Sequence, residues 1–381
     1  MKRYLSDITQ RDLRKKMVFL VGPRQCGKTT FSQDLIAAKG RGQYLNYDVA
    51  ADRAIILARA WDARTPLLVL DEIHKMPLWK SWLKGVYDGK PAAQELLVTG
   101  SARLDTFRQS GDSLAGRLFA MRLHPISVRE WCEYAGGTPE AALTHLLSRG
   151  GFPEPCLADN DAEAERWRRQ YFDGLVRNDV LEFSRLKEVQ SMRLFAELLR
   201  SRVGSPLSLA SIARDLQLSP STLAKYLSIL EALYIVFIVR PWSKNVARST
   251  LQAPKVYFYD TGLVVGDAGI RYENFVACAL LKHTEFLYDT QGKECALHYL
   301  RTKDGAEVDF AISETLHTET TLTDLIECKL ADTKPHAALH RFAEQWPQAR
   351  SVQLLRDLRH PMEKGQVKTL PAAAWLNNLS A

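Results

Sequence analysis

The chain has 381 residues, enough for two or three domains, and 46% of them are hydrophobic, which suffices for ordinary packed cores. Its longest apolar run, Ala232 to Val239, stops at Arg240, and no basic stretch followed by an apolar one opens the chain, so neither a membrane span nor a signal peptide is expected. A net charge of +7 admits a polyanionic partner without establishing one; six scattered cysteines (Cys26, Cys132, Cys156, Cys278, Cys295 and Cys328), with no C-x-x-C pair, point to a reduced cytoplasmic protein and away from structural zinc.

The first informative stretch is Gly22-Pro23-Arg24-Gln25-Cys26-Gly27-Lys28-Thr29, followed by Thr30. It fits G-x-x-x-x-G-K-[ST]. An apolar run, Met17 to Val21, stands before it as a buried strand, and a helix-like stretch from Lys28 to Lys39 follows, which is the setting such a loop requires. Gly22 and Gly27 let successive N–H groups point at one phosphate, and the helix N-terminus adds its positive dipole end. Lys28 is expected to reach the β and γ phosphates of ATP, and the Thr29 hydroxyl to ligate Mg²⁺.

Gln43 to Asp48 is expected to be the second strand. Leu67-Leu68-Val69-Leu70 then runs into Asp71-Glu72, in the manner of a Walker B strand that delivers carboxylates at its C-terminal end. Asp71 would hold the Mg²⁺ shell and Glu72 would polarise the attacking water. Glu95 to Ser101 forms a further strand with hydroxyls at its end, where Ser101 or Thr99 is placed to sense the γ-phosphate. Ala102 to Gly116 reads as helix and loop, and Leu118 to Leu123 as a strand.

These stretches resemble a known family. GPRQCGKTT, LLVLDEIHKMPLWKSWLK, LLVTGSARL, LAGR, HPISVREW and RGGFPEP occur in order over the first 155 residues. SPLSLASIARDLQLSPSTLAKYLSILEALYIV, KVYFYDTGL, GAEVDF and IECK follow. The combination is similar to the prokaryotic AAA+-like ATPases with a carboxy-terminal domain of unknown function. The resemblance implies a helical lid within the mostly helical region Ser127 to Gln190, and a homo-oligomer, with a hexamer among the expected sizes. Arg117 stands where AAA+-type ATPases carry a finger that reaches a neighbouring subunit's nucleotide; a plain surface arginine or local salt bridge has equal weight. Arg166, Arg168 and Arg169, among Glu163, Glu165 and Asp173, read as a solvated helix face of mixed charge.

Leu209 to Leu216 is an amphipathic helix. Ser219 caps a second one, with Pro220 at its first position and Leu223, Tyr226, Leu227 and Leu230 on its core side. With Tyr234 to Val239 as a strand, the layout is that of a winged helix. Ser221, Thr222 and Lys225 would then face DNA, with Lys244 and Arg248 in a basic wing; a protein-binding winged helix is the alternative.

Towards the C-terminus, Glu273 to Lys282 reads as a helix, and Glu307-Val308-Asp309-Phe310 and Asp324 to Lys329 as strands. Asp309 with Glu327-Cys328-Lys329 matches D-x(n)-E-x-K, the core of restriction-endonuclease-like folds. Period two puts Glu327 and Lys329 on one strand face. Glu273, Asp309 and Glu327 are the candidate Mg²⁺ ligands of this second site and Lys329 its water-orienting lysine; the alternative is a surface salt-bridge set. The polar segment Ser313 to Thr323 counts against Asp309 meeting Glu327. His336 and His340 read as helix surface.

The expected fold class is therefore α/β: a P-loop, AAA+-like core over residues 1–155, helical lid or linker 156–190, winged helix 191–248 and a restriction-endonuclease-like domain 249–381. The expected function is an ATPase acting on DNA, a translocase or processor of branched DNA. The alternative is an ATP-controlled switch in a defence or toxin-like system. DNA and further copies of the chain are the expected partners, with no membrane.

Overall fold

The computed structural model describes residues 1–100, 114–175, 186–243 and 253–381. Ser101, Lys244 and Arg248 lie outside the described residues. The chain forms two compact units, Met1–Pro125 with Ala232–Tyr234, and Ile126–Glu231 with Ile235–Ala381.

The first unit is built on five strands: β1 (Met17–Val21), β2 (Gln43–Asn46), β3 (Leu67–Asp71), β4 (Glu95–Thr99) and β5 (Leu118–Arg122). Helices α1 (Ser6–Leu13), α2 (Lys28–Ala38), α3 (Ala50–Ala58) and α4 (Trp79–Gly89) accompany them. The sheet order is β2-β3-β4-β1-β5 and every pairing is parallel. β1 and β3 are buried along their whole length, as the apolar runs Met17–Val21 and Leu67–Leu70 require when both faces of a sheet are covered; only Asp71, at the end of β3, is polar. Met17, Phe19, Leu68, Leu70, Leu83 and Val98 share one core; each such side chain contributes roughly 1.5–3 kcal/mol by leaving water. From β1 the chain travels to the far edge at β2, works back through β3 and β4, and crosses β1 to β5. Loops at the carboxyl ends of β1 and β3 therefore flank β4, and parallel sheets hold ligands at such crossover points.

The second unit opens with helices α5 (Val128–Ala135), α6 (Pro139–Arg149), α7 (Pro153–Leu157), α8 (Asp161–Gly174), α9 (Leu186–Arg200), α10 (Leu209–Leu216) and α11 (Pro220–Ala232). Local sequence starts several of them. Ser127 and Glu130 form a reciprocal capping box on α5, while Thr138, Asn160 and Ser208 cap α6, α8 and α10. On α11, Ser219 Oγ accepts the Thr222 N–H at 3.0 Å, and Leu223, Tyr226, Leu227 and Leu230 are buried as their spacing predicts.

An eight-stranded sheet follows, of order β12-β13-β11-β10-β9-β8-β6-β7. Its strands are β6 (Val236–Pro241), β7 (Lys255–Phe258), β8 (Glu294–Arg301), β9 (Glu307–Leu316), β10 (Glu319–Lys329), β11 (Arg350–Leu355), β12 (Met362–Lys364) and β13 (Val367–Pro371). Helices α12 (Ala268–Gln291), α13 (Ala337–Gln345) and α14 (Ala372–Asn377) complete the unit. The boundary expected at 248/249 falls between β6 and β7, which pair antiparallel, while β6 also pairs with β8. The helix expected from Glu273 is the inner part of α12, which starts earlier because Asp267 caps it.

One surface reading is corrected. Arg166 and Arg169 are exposed, but Arg168 is buried. Its Nε lies 3.5 Å from the buried Asp260 carboxylate, and its Nη2 donates to the Ser148 carbonyl at 3.2 Å. The mixed charges around Arg168 hid a partner distant in sequence. Gly262 leaves the room: a Cβ there would fall 1.8 Å from Arg168 Nε.

Candidate functional site

The loop after β1 turns at Gly22, whose φ of +148° brings it against the Leu123 carbonyl; a Cβ would lie 2.3 Å from that oxygen. Gly27, at φ +97°, starts α2 without a side-chain cap, so the first-turn N–H groups are left for a ligand. From beneath, buried Arg3 donates to the Cys26 carbonyl at 3.0 Å and to the His124 carbonyl at 2.5 Å. The Lys28 ammonium donates to the carbonyls of Gly22 at 2.9 Å and Pro23 at 2.7 Å, so it lies folded onto its own loop. Thr29 and Thr30 are exposed.

Sheet register assembles the acidic half. It pairs Asn46 with Asp71 and Asp71 with Thr99 across three strand ends. Thr99 Oγ1 donates to Asp71 Oδ1 at 2.6 Å, Asn46 Nδ2 to Oδ2 at 3.2 Å, and the Glu72 N–H to Oδ1 at 3.1 Å. Tyr44 donates its hydroxyl to Asp71, and the same oxygen stands 3.5 Å from Thr29 Oγ1. Thr29 and Asp71, the two expected Mg²⁺ ligands, are thus both brought to one hydroxyl. A hydroxyl and a carboxylate, both hard oxygen donors, fit Mg²⁺. Tyr44 and Asn46 escaped the sequence reading, although their alternation on an expected strand beside the P-loop was a usable signal.

Glu72 leaves the strand at φ +54°. Its N–H is held by the Thr99 carbonyl at 3.0 Å, and its Oε2 lies 3.3 Å from His74 Nε2 and 3.9 Å from Lys75 Nζ. Burial, and then the charge of Asp71, push its carboxyl above the ordinary range against the pull of Lys75, Lys28 and Arg24. A carboxylate with a raised proton affinity suits a general base. Arg117 makes a two-pronged ion pair with Asp88, at 2.8 and 3.1 Å, on a partly exposed surface.

Residues 14–132 match the AAA domain. Residues 140–273 and 268–374 match two domains of unknown function, DUF8612 and DUF4143. The chain is 27% identical over 320 residues to the uncharacterized protein Rv2008c of Mycobacterium tuberculosis, covering 78% of this chain and 68% of that one. It is 22% identical over 281 residues to the uncharacterized protein MJ1544 of Methanocaldococcus jannaschii, with 67% and 63% covered. Among solved structures, the Walker-type ATPase PABY2304 of Pyrococcus abyssi aligns with a TM-score of 0.44 at 14% identity, over 67% of this chain and 92% of that one. The Thermotoga maritima RuvB Holliday junction branch migration motor aligns with a TM-score of 0.31 at 17% identity, over 61% and 86%. The P-loop, Asp71, Glu72 and Arg117 all lie within the AAA domain match.

In the second unit, β9 and β10 pair as an antiparallel hairpin with one register shift between Leu322 and Asp324, so the polar segment Ser313 to Thr323 forms the hairpin's end and Asp309 and Glu327 are brought together. The Asp309 N–H donates to Glu327 Oε2 at 3.3 Å, and Asp309 Oδ2 accepts the Cys328 N–H at 2.9 Å. Lys329 Nζ lies 2.8 Å from Glu327 Oε1. Burial, and then the charge of Asp309, push Glu327 and Glu273 up to about 7 each. His336 is not merely helix surface: it precedes α13 and points Nδ1 at Glu327 Oε1, 3.4 Å away.

Lys255, which the sequence reading missed, changes this site. Its Nζ lies 2.6 Å from Glu307 Oε1, 3.5 Å from Glu273 Oε1 and 4.0 Å from Asp309 Oδ1. The donor set does not fit a divalent ion on the Glu273 side, because an ammonium already fills it. Among the described residues, no group of three or more His, Cys, Asp and Glu side chains is arranged to hold a metal ion. On α11, Ser221 and Lys225 are exposed, and the Ser221 and Thr222 hydroxyls each stand 2.8 Å from Ser219 Oγ. Among the described residues no helix is long and apolar enough to cross a membrane.

Proposed function

We propose that the protein is a Mg²⁺-dependent, ATP-hydrolysing AAA-type motor or processor that acts on DNA as a homo-oligomer. The observation that carries the ATPase part is the convergence of Thr29, Asp71 and Glu72 beside the P-loop through the register of three parallel strands. Thr29 and Asp71 would hold Mg²⁺, which supplies charge neutralisation at the β and γ phosphates when bound. Lys28 would exchange its carbonyl partners for phosphate oxygens. Glu72 would take the proton from the attacking water at its carboxylate, aided by its raised proton affinity. Arg117 would leave Asp88 to reach a neighbouring copy's nucleotide.

The DNA part of this reading is supported by the net charge of +7 and by the exposed Ser221 and Lys225 at the start of α11 in a winged-helix-like order of elements. The helix, three-stranded meander, helix and parallel strand from α12 to β11 support a restriction-endonuclease-like reading of the C-terminal domain. ATPase rate against single-stranded, duplex and branched DNA tests the proposal. Stimulation by one form is expected, and a rate indifferent to all of them removes DNA from the reading.

Such indifference would favour a second reading, an ATP-controlled protein switch. Its support is the pair of contacts that hold the site in check: Lys28 on its own loop carbonyls and Tyr44 on Asp71. A switch of this kind turns over slowly until a partner protein displaces these contacts.

A further inference from the structure

We infer that the Lys255 ammonium is the resident cation of the C-terminal acidic cluster, standing where a divalent ion would otherwise bridge Glu273, Glu307 and Asp309. Lys255 opens β7, and its side chain is only 1% exposed. A lysine is almost never buried so completely unless carboxylates compensate it, and here three lie within 4.0 Å. Three N–H donors on one nitrogen suit three converging oxygens. A Mg²⁺ or Mn²⁺ ion needs the same oxygens at about 2.0–2.2 Å, which would place two cations side by side in one pocket.

The carboxylates also have protein donors of their own. Glu273 accepts the Tyr257 hydroxyl at 2.7 Å. Glu307 accepts Arg301 Nη1 at 2.8 Å as well as Lys255. Asp309 accepts the Cys328 N–H, and Glu327 the Asp309 N–H and Lys329. The cluster is a closed charge network with its cations built in.

Its cover is built in too. The segment after α9 runs beside β7, with the Gly204 N–H on the Val256 carbonyl, the Leu207 N–H on the Pro254 carbonyl and Pro206 bridged to Lys255. Gly204, at φ +74°, lies so close to Glu273 that a Cβ would come within 2.8 Å of Oε1. The Tyr299 ring sits 5.3 Å from Nζ. Backbone and ring thus enclose the ammonium, and the cluster acts as a charged scaffold instead of a metal-dependent cutting centre.

Mn²⁺ binding to the nucleotide-free full chain, followed by electron paramagnetic resonance, tests this. Asp309→Asn identifies the cluster's share of the signal, since the P-loop site does not involve Asp309. The wild type should show no Asp309-dependent Mn²⁺ binding, whereas Lys255→Met should gain one such site, at least tenfold tighter than any weak binding by the wild type. If Lys255→Met does not fold, the double variant Lys255→Met/Glu307→Gln removes one charge of each sign and should gain an Asp309-dependent site, weaker for want of the Glu307 carboxylate. Asp309-dependent Mn²⁺ binding by the wild type at the variant's affinity overturns the inference, and so does a folded variant that gains nothing.

Discussion

Lys28 and Glu72 divide the work of hydrolysis, and their substitutions should separate it. Lys28→Ala removes the cation that meets the β and γ phosphates, so ATP affinity should fall, as read by equilibrium binding of a fluorescent ATP analogue. Glu72→Gln keeps the shape and loses the proton acceptor. Binding should persist while turnover drops about 10²–10⁴-fold, the usual range for a general base. Wild-type turnover in Glu72→Gln would remove Glu72 from the mechanism. Glu231 offers a separate pH test. Burial pushes its carboxyl from the ordinary 4.5 up to about 7, against the pull of Arg240. The folded state therefore binds this proton more tightly than the unfolded chain. The stability it contributes is complete below the unfolded value and is lost as pH rises through about 7. Glu231→Gln should match the wild type near about pH 4 and exceed it by up to about 3 kcal/mol near about pH 8, in urea titrations at each pH.

Among the elements, the glycines at tight approaches make the sharpest predictions. Gly262→Ala would drive Arg168 off Asp260 and leave a buried carboxylate without its nearest counter-charge, a loss of up to about 3–5 kcal/mol. The urea midpoint should fall accordingly, and an unchanged midpoint would mean that Arg168 can leave without cost. What was legible in the sequence divides along the same line. The P-loop, Asp71 and the cap at Ser219 are local signals, each carried by one stretch and one element, and the structure puts them where they were expected. Glu327 and Lys329 share a strand face by period alone. Lys255 and Arg168 were illegible because nothing in their local sequence names a partner; each acquires meaning only when a distant carboxylate is packed against it. Tyr44 falls between, since its strand was visible but its partner depended on sheet order.

For the whole molecule, assembly is the property most open to test. If Arg117 serves a neighbouring copy, ATPase activity per subunit should rise with protein concentration, and Arg117→Ala should lower it severalfold. Asp88→Asn, which only frees Arg117, should not. Because the pair is surface-placed and screened by solvent, it contributes little to stability, so a common loss of turnover in both variants would mark a merely local salt bridge. The same scale brings out a consequence of the segment Gly204 to Leu207. An open eight-stranded sheet has two rims, and a rim with free amide groups invites strands from other molecules. One rim here is β12, three residues long and including Glu363. The other is β7, along which lies a strip containing Pro206, a residue with no N–H to offer outward. The cover that encloses Lys255 therefore also protects the protein from edge-to-edge aggregation, and exchanging Pro206 for a β-branched residue would trade colloidal solubility for an extendable edge.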